Sequence, residues 1–291
     1  KAGFAGGPST LKGKFPSQAN GVTDREGKFS AVIGCLFGEI SFGADKNGYY
    51  STEAFNVSII PKGKTWDDAQ RAGRWEPWEQ SLKLLLKPIK NPVAMYARRI
   101  TGAIPELRKP CGYDLEKGDW VAPYGAGLRT DIELVADGSI QNDSNFNGTL
   151  TIRLPGDGNG IQIYDFQPAD LRSEFKMPYE APTNGYAPTW TWRSACITDK
   201  PGRPSTIIDE SNPNRGFIFR VRTVLDSAGN VVQAKYGKIR GPVEFFPKIA
   251  PGKWIVELSY YYNPDGTRNL EWNPKRNLFT NLSPGEQVYD P

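Results

Sequence analysis

Trp190 and Trp192 stand two positions apart, and so do Tyr260 and Tyr262. Side chains two apart in an extended strand leave the same face, so each pair sets two flat rings side by side. Such a platform suits the apolar face of a sugar ring, with nearby Asp, Asn and Arg side chains to bond its hydroxyls. The competing use is core filling, the ordinary fate of large aromatics. These four residues form the candidate ligand-binding set.

A second constellation is Asp143-Ser144-Asn145-Phe146-Asn147-Gly148. It matches the first half of an EF-hand calcium loop, in which alternate side chains (here Asp143, Asn145 and Asn147) aim oxygens at one centre and Gly makes the bend. The twelfth position should be a bidentate Glu but is Leu154, and a strand-like run follows instead of a helix. Calcium is the one cofactor the residues suggest, and Asp137 or Asp157 would have to complete its shell. The alternative is an Asx-rich turn between strands, which needs no metal.

Acidic pairs are the third. Hydrolysis of a glycosidic bond needs two carboxyls ~5–9 Å apart and no imidazole. Asp114 with Glu116 or Asp119, and Asp209 with Glu210, are candidates, although a chain with 32 acidic residues offers such pairs by chance. None of the 291 residues is histidine, which removes Ser-His-Asp and Cys-His nucleophiles and every His-containing zinc site. Cys35, Cys111 and Cys196 lie far apart with no C-x-x-C spacing, so a zinc cluster and a redox dithiol are excluded. They read as small buried apolar residues. Gly156-Asp157-Gly158-Asn159-Gly160 lacks the Lys and Ser/Thr of a phosphate loop and reads as a turn. No catalytic residues are assigned.

The elements that must position these groups are strands. Phe, Trp and Tyr make up 12% of the chain, with 31 Gly and 24 Pro, a composition of short strands and many turns. Phe29 to Phe42 is an apolar strand-like run punctuated by Gly34, Gly38 and Gly43, and apolar alternation marks Ala54 to Ile60, Thr130 to Val135, Thr149 to Leu154 and Ile161 to Phe166. Gly216 to Leu225 and Asn230 to Tyr236 predict a hairpin, followed by strands Pro242 to Phe246 and Lys253 to Tyr262. Thr65 to Lys87 predicts helix: Asp67 and Asp68 suit its start, and Leu82, Leu85, Leu86 and Ile89 recur at helical spacing. Pro77 should split it and Pro88 end it. Pro105 to Gly127 and Pro178 to Pro213 read as loops.

The expected fold class is mainly β, a β-sandwich of jelly-roll or immunoglobulin-like type with many loops and one or two short helices. The expected organisation is an extended N-terminal arm (1–27), a β segment with short helices (28–110), a β-sandwich body (111–272) and an extended C-terminal tail (273–291). The net charge of +4 is spread out, and the basic stretches Arg98-Arg99 to Lys109 and Arg268 to Arg276 are broken by prolines. Nucleic acid is therefore not indicated. No stretch approaches the ~20 apolar residues of a membrane helix. A first residue that is not Met suggests processing, and with it an exported, virion or organellar setting.

The first functional expectation is a non-enzymatic, self-assembling subunit of a shell, capsid, surface layer or filament. Its partners would be copies of itself, reached by Phe4, Leu11 and Phe15 of the arm. The second is a carbohydrate-binding module of an exported protein, and the third a carboxylate-based glycoside hydrolase.

Overall fold

Turns decide where the strands of this chain stop, and Gly and Asx residues supply them. In a computed structural model, the described residues are 2–6, 18–34, 38–58, 60, 63–65, 67–68, 81–142, 144–167, 170, 172–198, 206–248 and 252–291. The chain divides into two compact units, residues 1–90 with 167–176, and residues 91–166 with 177–291. The regular structure of both is almost all strand. Helix among the described residues is confined to Asp67 and Asp68, and none is long and apolar enough to cross a membrane.

The first unit holds one antiparallel sheet of β1 (Ala2–Gly6), β2 (Gln18–Gly21), β3 (Glu39–Ala44) and β4 (Thr52–Ser58), in the order β2-β1-β3-β4. The leading segment, expected to be an arm, is thus a strand of its own chain's sheet. Phe4 lies opposite Ala19 on one side and Phe42 on the other. Backbone N–H and C=O groups need partners, and Gln18–Gly21 and Glu39–Ala44 provide them within the same chain. Leu11 and Phe15 lie outside the described residues. Ile40, Phe42 and Ala54 make a small core, with Leu82 and Leu84 packed against it.

The helix expected over Thr65 to Lys87 begins as a capping box. Thr65 N donates to Asp68 Oδ2 at 2.8 Å, and Asp68 N to Thr65 Oγ1 at 3.3 Å. Residues 69–80 lie outside the described set, but 81–87 are extended, not helical, and this corrects the leucine spacing. From 81 to 86 exposed and half-buried positions alternate, a period of two. The segment's carbonyls are taken by a neighbouring stretch: Tyr50 N donates to Lys87 O, and Thr52 Oγ1 to Leu85 O. Pro88 could not have continued an α-helix.

The second unit is a β-sandwich. One sheet contains β5 (Val93–Ala103), β10 (Gly160–Asp165), β13 (Arg215–Leu225), β14 (Val231–Ile239), β15 (Glu244–Lys248), β16 (Lys253–Asn263) and β17 (Trp272–Asn277). Its order is β10-β13-β14-β16-β5-β17, with β15 also on β16. The other contains β6 (Cys111–Asp114), β7 (Asp119–Trp120), β8 (Ile132–Asn142), β9 (Asn145–Arg153), β11 (Thr189–Ile197) and β12 (Thr206–Asp209), ordered β12-β11-β9-β8-β6-β7. Every ladder is antiparallel except β17 on β5. One core joins the inner faces, with Leu134, Leu150 and Ile152 from one sheet and Phe219, Val256 and Leu258 from the other.

Aromatic contacts fasten the layers. Trp192 meets Phe217 at 5.2 Å, Tyr113 meets Tyr260 at 6.1 Å, and Phe146 meets Trp254 at 6.1 Å, all edge-on. Trp254 has a slot cut for it: Gly138 and Gly148 are paired directly across β8 and β9. A Cβ on Gly138 would lie 2.8 Å from the indole, and one on Gly148 would overlap it outright. On the outer face of the other sheet, Met95, Ala97, Tyr261 and Trp272 form a second cluster under Val288.

The loop from Asp114 to Asp131 is organised by carboxylates. Asp114 accepts backbone N–H bonds from Glu116, Lys117, Leu128 and Arg129. Burial alone would raise its pKa, but these donors outweigh it and hold the carboxyl below the ordinary aspartate value of 3.8. Asp119 accepts from Trp120 N and Ala126 N. Glu116 spends its side chain on a cation, bonding Arg222 Nη1 at 2.5 Å, and Asp131 holds the same guanidinium.

Candidate functional site: a tryptophan-lined groove

Strand β11 carries alternating residues inward and outward, and its register fixes what comes beside it. Ser194 pairs with Asp209 across β11 and β12, so the chain after β12 runs back along the β11 residues before Ser194. Glu210 N donates to Arg193 O at 3.1 Å, and Arg193 N to Glu210 Oε2 at 2.7 Å. This lays Asp209, Glu210, Ser211 and Asn212 beside Trp190, Thr191 and Trp192. With Arg215 they line a groove of about 520 Å³, within the ~300–1,000 Å³ range of ligand clefts.

The two indoles play different parts. Trp192 is 4% exposed and belongs to the core. Trp190, 6.3 Å from Trp192 and 5.9 Å from Phe217, is half-buried, so part of its ring remains open at the groove. Asp209 and Glu210 are exposed. Each spends one carboxylate oxygen on a backbone N–H, Asp209 Oδ1 on Ser211 and Glu210 Oε2 on Arg193. Arg215 Nε donates to Asp165 Oδ1 at 2.7 Å, outside this set.

The other sequence candidates end elsewhere. Tyr260 and Tyr262 are fully buried, both 0% exposed, and their hydroxyls donate to Leu115 O and Glu116 Oε1. Burial raises both phenol pKa values. Neither ring has a face for a ligand, which corrects their place in the binding set: they lie on the side of β16 that meets the other sheet.

The calcium half-loop is a β-hairpin. Asn142 pairs with Asn145, so Asn145 and Asn147 are strand residues of β9. Asn145 Nδ2 donates to Gln141, and Asn147 Oδ1 accepts from Arg193 Nε at 3.2 Å. A guanidinium on that oxygen opposes a cation there. Asp137, the supplementary ligand, pairs with Arg108 at 2.7 Å. Asp143 lies outside the described residues, and among those described no group of three or more His, Cys, Asp or Glu side chains could hold a metal. Cys111 and Cys196 are buried free thiols, and burial pushes the Cys111 thiol up.

A second groove of about 350 Å³ is lined by Asp131, Asn159, Arg222 and Thr223 among others. Its polar groups satisfy one another. Arg222 binds Asp131 through two 2.8 Å bonds, and Asn159 Oδ1 accepts from Thr223 N. It is read as structural.

Reading the sequence found the Trp pair and the Asp209-Glu210 pair separately. It missed that one groove contains both, together with Asn212 and Arg215, because strand register joins them and nothing local announces register. Compared with known proteins, the chain matches no family model and no curated sequence.

Proposed function

We propose that this protein is a carbohydrate-binding β-sandwich module whose site is the Trp190 groove. One observation carries the reading: a partly open indole and a row of polar side chains, Asp209, Glu210, Ser211 and Asn212, line the same cleft. An indole takes the C–H face of a pyranose while carboxylates and amides bond its hydroxyls, so one wall supplies stacking and the other direction. Hydrolysis fits less well. It needs carboxyls on both sides of the bond, and among the described residues the acids lining this groove are consecutive residues of one segment.

Titrating a panel of oligosaccharides while following tryptophan fluorescence is the test. At least one sugar should change the signal saturably, and Trp190→Ala should weaken its binding at least about tenfold with the circular dichroism spectrum unchanged. A panel without a single saturable response would remove the reading.

Self-assembly keeps a separate support. The expected arm is now a strand of its own sheet, but β12, at the end of its sheet, carries an open apolar side chain, Ile207 at 73% exposure. Uncovered apolar edges are what strand addition uses. On this second reading the mass measured by light scattering rises with concentration; a constant monomer mass would end it.

A further inference from the structure

The groove's charge selects among sugars, and this step rests on the carbohydrate-binding reading. We infer that the preferred ligand is a glycan bearing free amino groups, a polymer or oligomer of unacetylated hexosamine. After their backbone bonds, Asp209 and Glu210 each keep one carboxylate oxygen with no partner among the described residues. The basic residue lining the groove, Arg215, is already bonded to Asp165.

Several other acids of this unit have a basic partner, whereas, among the described residues, Asp226 and Asp265 bond only backbone and amide groups of exposed turns. Asp137 pairs with Arg108, Glu180 with Arg268, Glu286 with Arg98 and Asp290 with Arg240. Two adjacent negative charges without such partners, beside an apolar ring, leave a negative field in the cleft that a ligand ammonium relieves. The same ammonium gains from the indole face when it lies within about 6 Å of the ring centroid. A neutral sugar could stack on Trp190 and donate hydroxyls to these oxygens, but it would leave both charges uncompensated.

Calorimetry with a glucosamine oligomer and its fully N-acetylated twin tests this, at low salt and at a pH below the amine pKa. The free-amine oligomer should bind at least about tenfold more tightly, and added salt should shrink the gap. In the double variant Asp209→Asn with Glu210→Gln the two oligomers should bind alike. These amides keep the acceptor oxygens for Ser211 N and Arg193 N and remove only the charge. Trp190→Ala should weaken both oligomers.

Equal affinities in the parent protein would overturn the inference while leaving sugar binding in place. Binding of neither oligomer, with no other sugar bound, would remove the underlying reading instead. An oligolysine peptide that outcompetes the glucosamine oligomer would overturn the inference in favour of a basic protein partner.

Discussion

Trp254→Ala is expected to lower the free energy of unfolding by about 3–5 kcal/mol, the usual cost of deleting a buried Trp. Trp254 is 1% exposed, stacks on Phe245 at 4.6 Å and meets Phe146 edge-on. Its Nε1–H has no hydrogen-bond partner among the described residues, so its stabilisation comes from packing. The Gly138–Gly148 slot makes the expectation sharper than truncation alone. Gly148→Ala puts a methyl group into the indole and should cost about 1–3 kcal/mol by overpacking. With Trp254 already truncated, the same methyl has room and its cost should vanish. Urea denaturation of the two single variants and the double variant measures this coupling. Additive losses would mean that the slot does not hold the indole.

Asp131→Ala should be comparably damaging, at about 3–5 kcal/mol, because it removes the buried partner of Arg222, leaving Glu116 alone on the guanidinium, and strips Leu115 N of its acceptor. The Asp131 side chain is 1% exposed and that of Arg222 16%. Besides its two bonds to Arg222, Asp131 accepts from Leu115 N at 3.0 Å. Burial alone would lower the Arg222 pKa, but Asp131 and Glu116 outweigh it and the net shift is upward, so the guanidinium stays charged. Replacing both partners, Asp131→Leu with Arg222→Met, should recover part of the loss, since Glu116, the acid that then loses the guanidinium, has a side chain 36% exposed and keeps the Tyr262 hydroxyl. A loss below about 1 kcal/mol for Asp131→Ala would show that water replaces the carboxylate.

Acid acts on the same loop through Asp114, whose folded pKa is depressed. Its contribution is complete above the ordinary value of 3.8 and disappears as pH falls through the lowered one. Stability measured against pH should therefore fall more steeply for the parent than for Asp114→Asn in that acid window.

The sandwich was legible because alternation and turn chemistry agree along much of it. The hairpin expected from Gly216 to Tyr236 spans Arg215–Leu225 and Val231–Ile239, and Asp226 closes its turn by accepting from Ala228 N and Asn230 N. Lys253 to Tyr262 is a strand almost to the residue. Strand β5 stayed hidden because Arg98 and Arg99 interrupt its apolar run. Both guanidiniums reach acids far along the chain, Glu286 and Glu257, which no local window contains. Strand β11 lies within a stretch that reads as loop because prolines and glycines flank it. The tyrosine pair and the half-open tryptophan have the same spacing, so periodicity could not tell them apart. Which ring keeps an open face depends on what the opposite sheet sets against it, and only the assembled layers decide that.

Strand β5 has a consequence for how the molecule is made. Its neighbours are β16 and β17, and Asn277, which bonds Ala97, lies 180 positions further along. At ordinary rates of chain growth that gap lasts roughly 10–40 s on the ribosome. For most of that interval, until β16 emerges, Ala97 and Ile100 lack the strand residues they pair with, Tyr261 and Leu258. Folding of this layer therefore waits on translation, and until its distant partners emerge the apolar side chains of this strand are an exposed aggregation hazard.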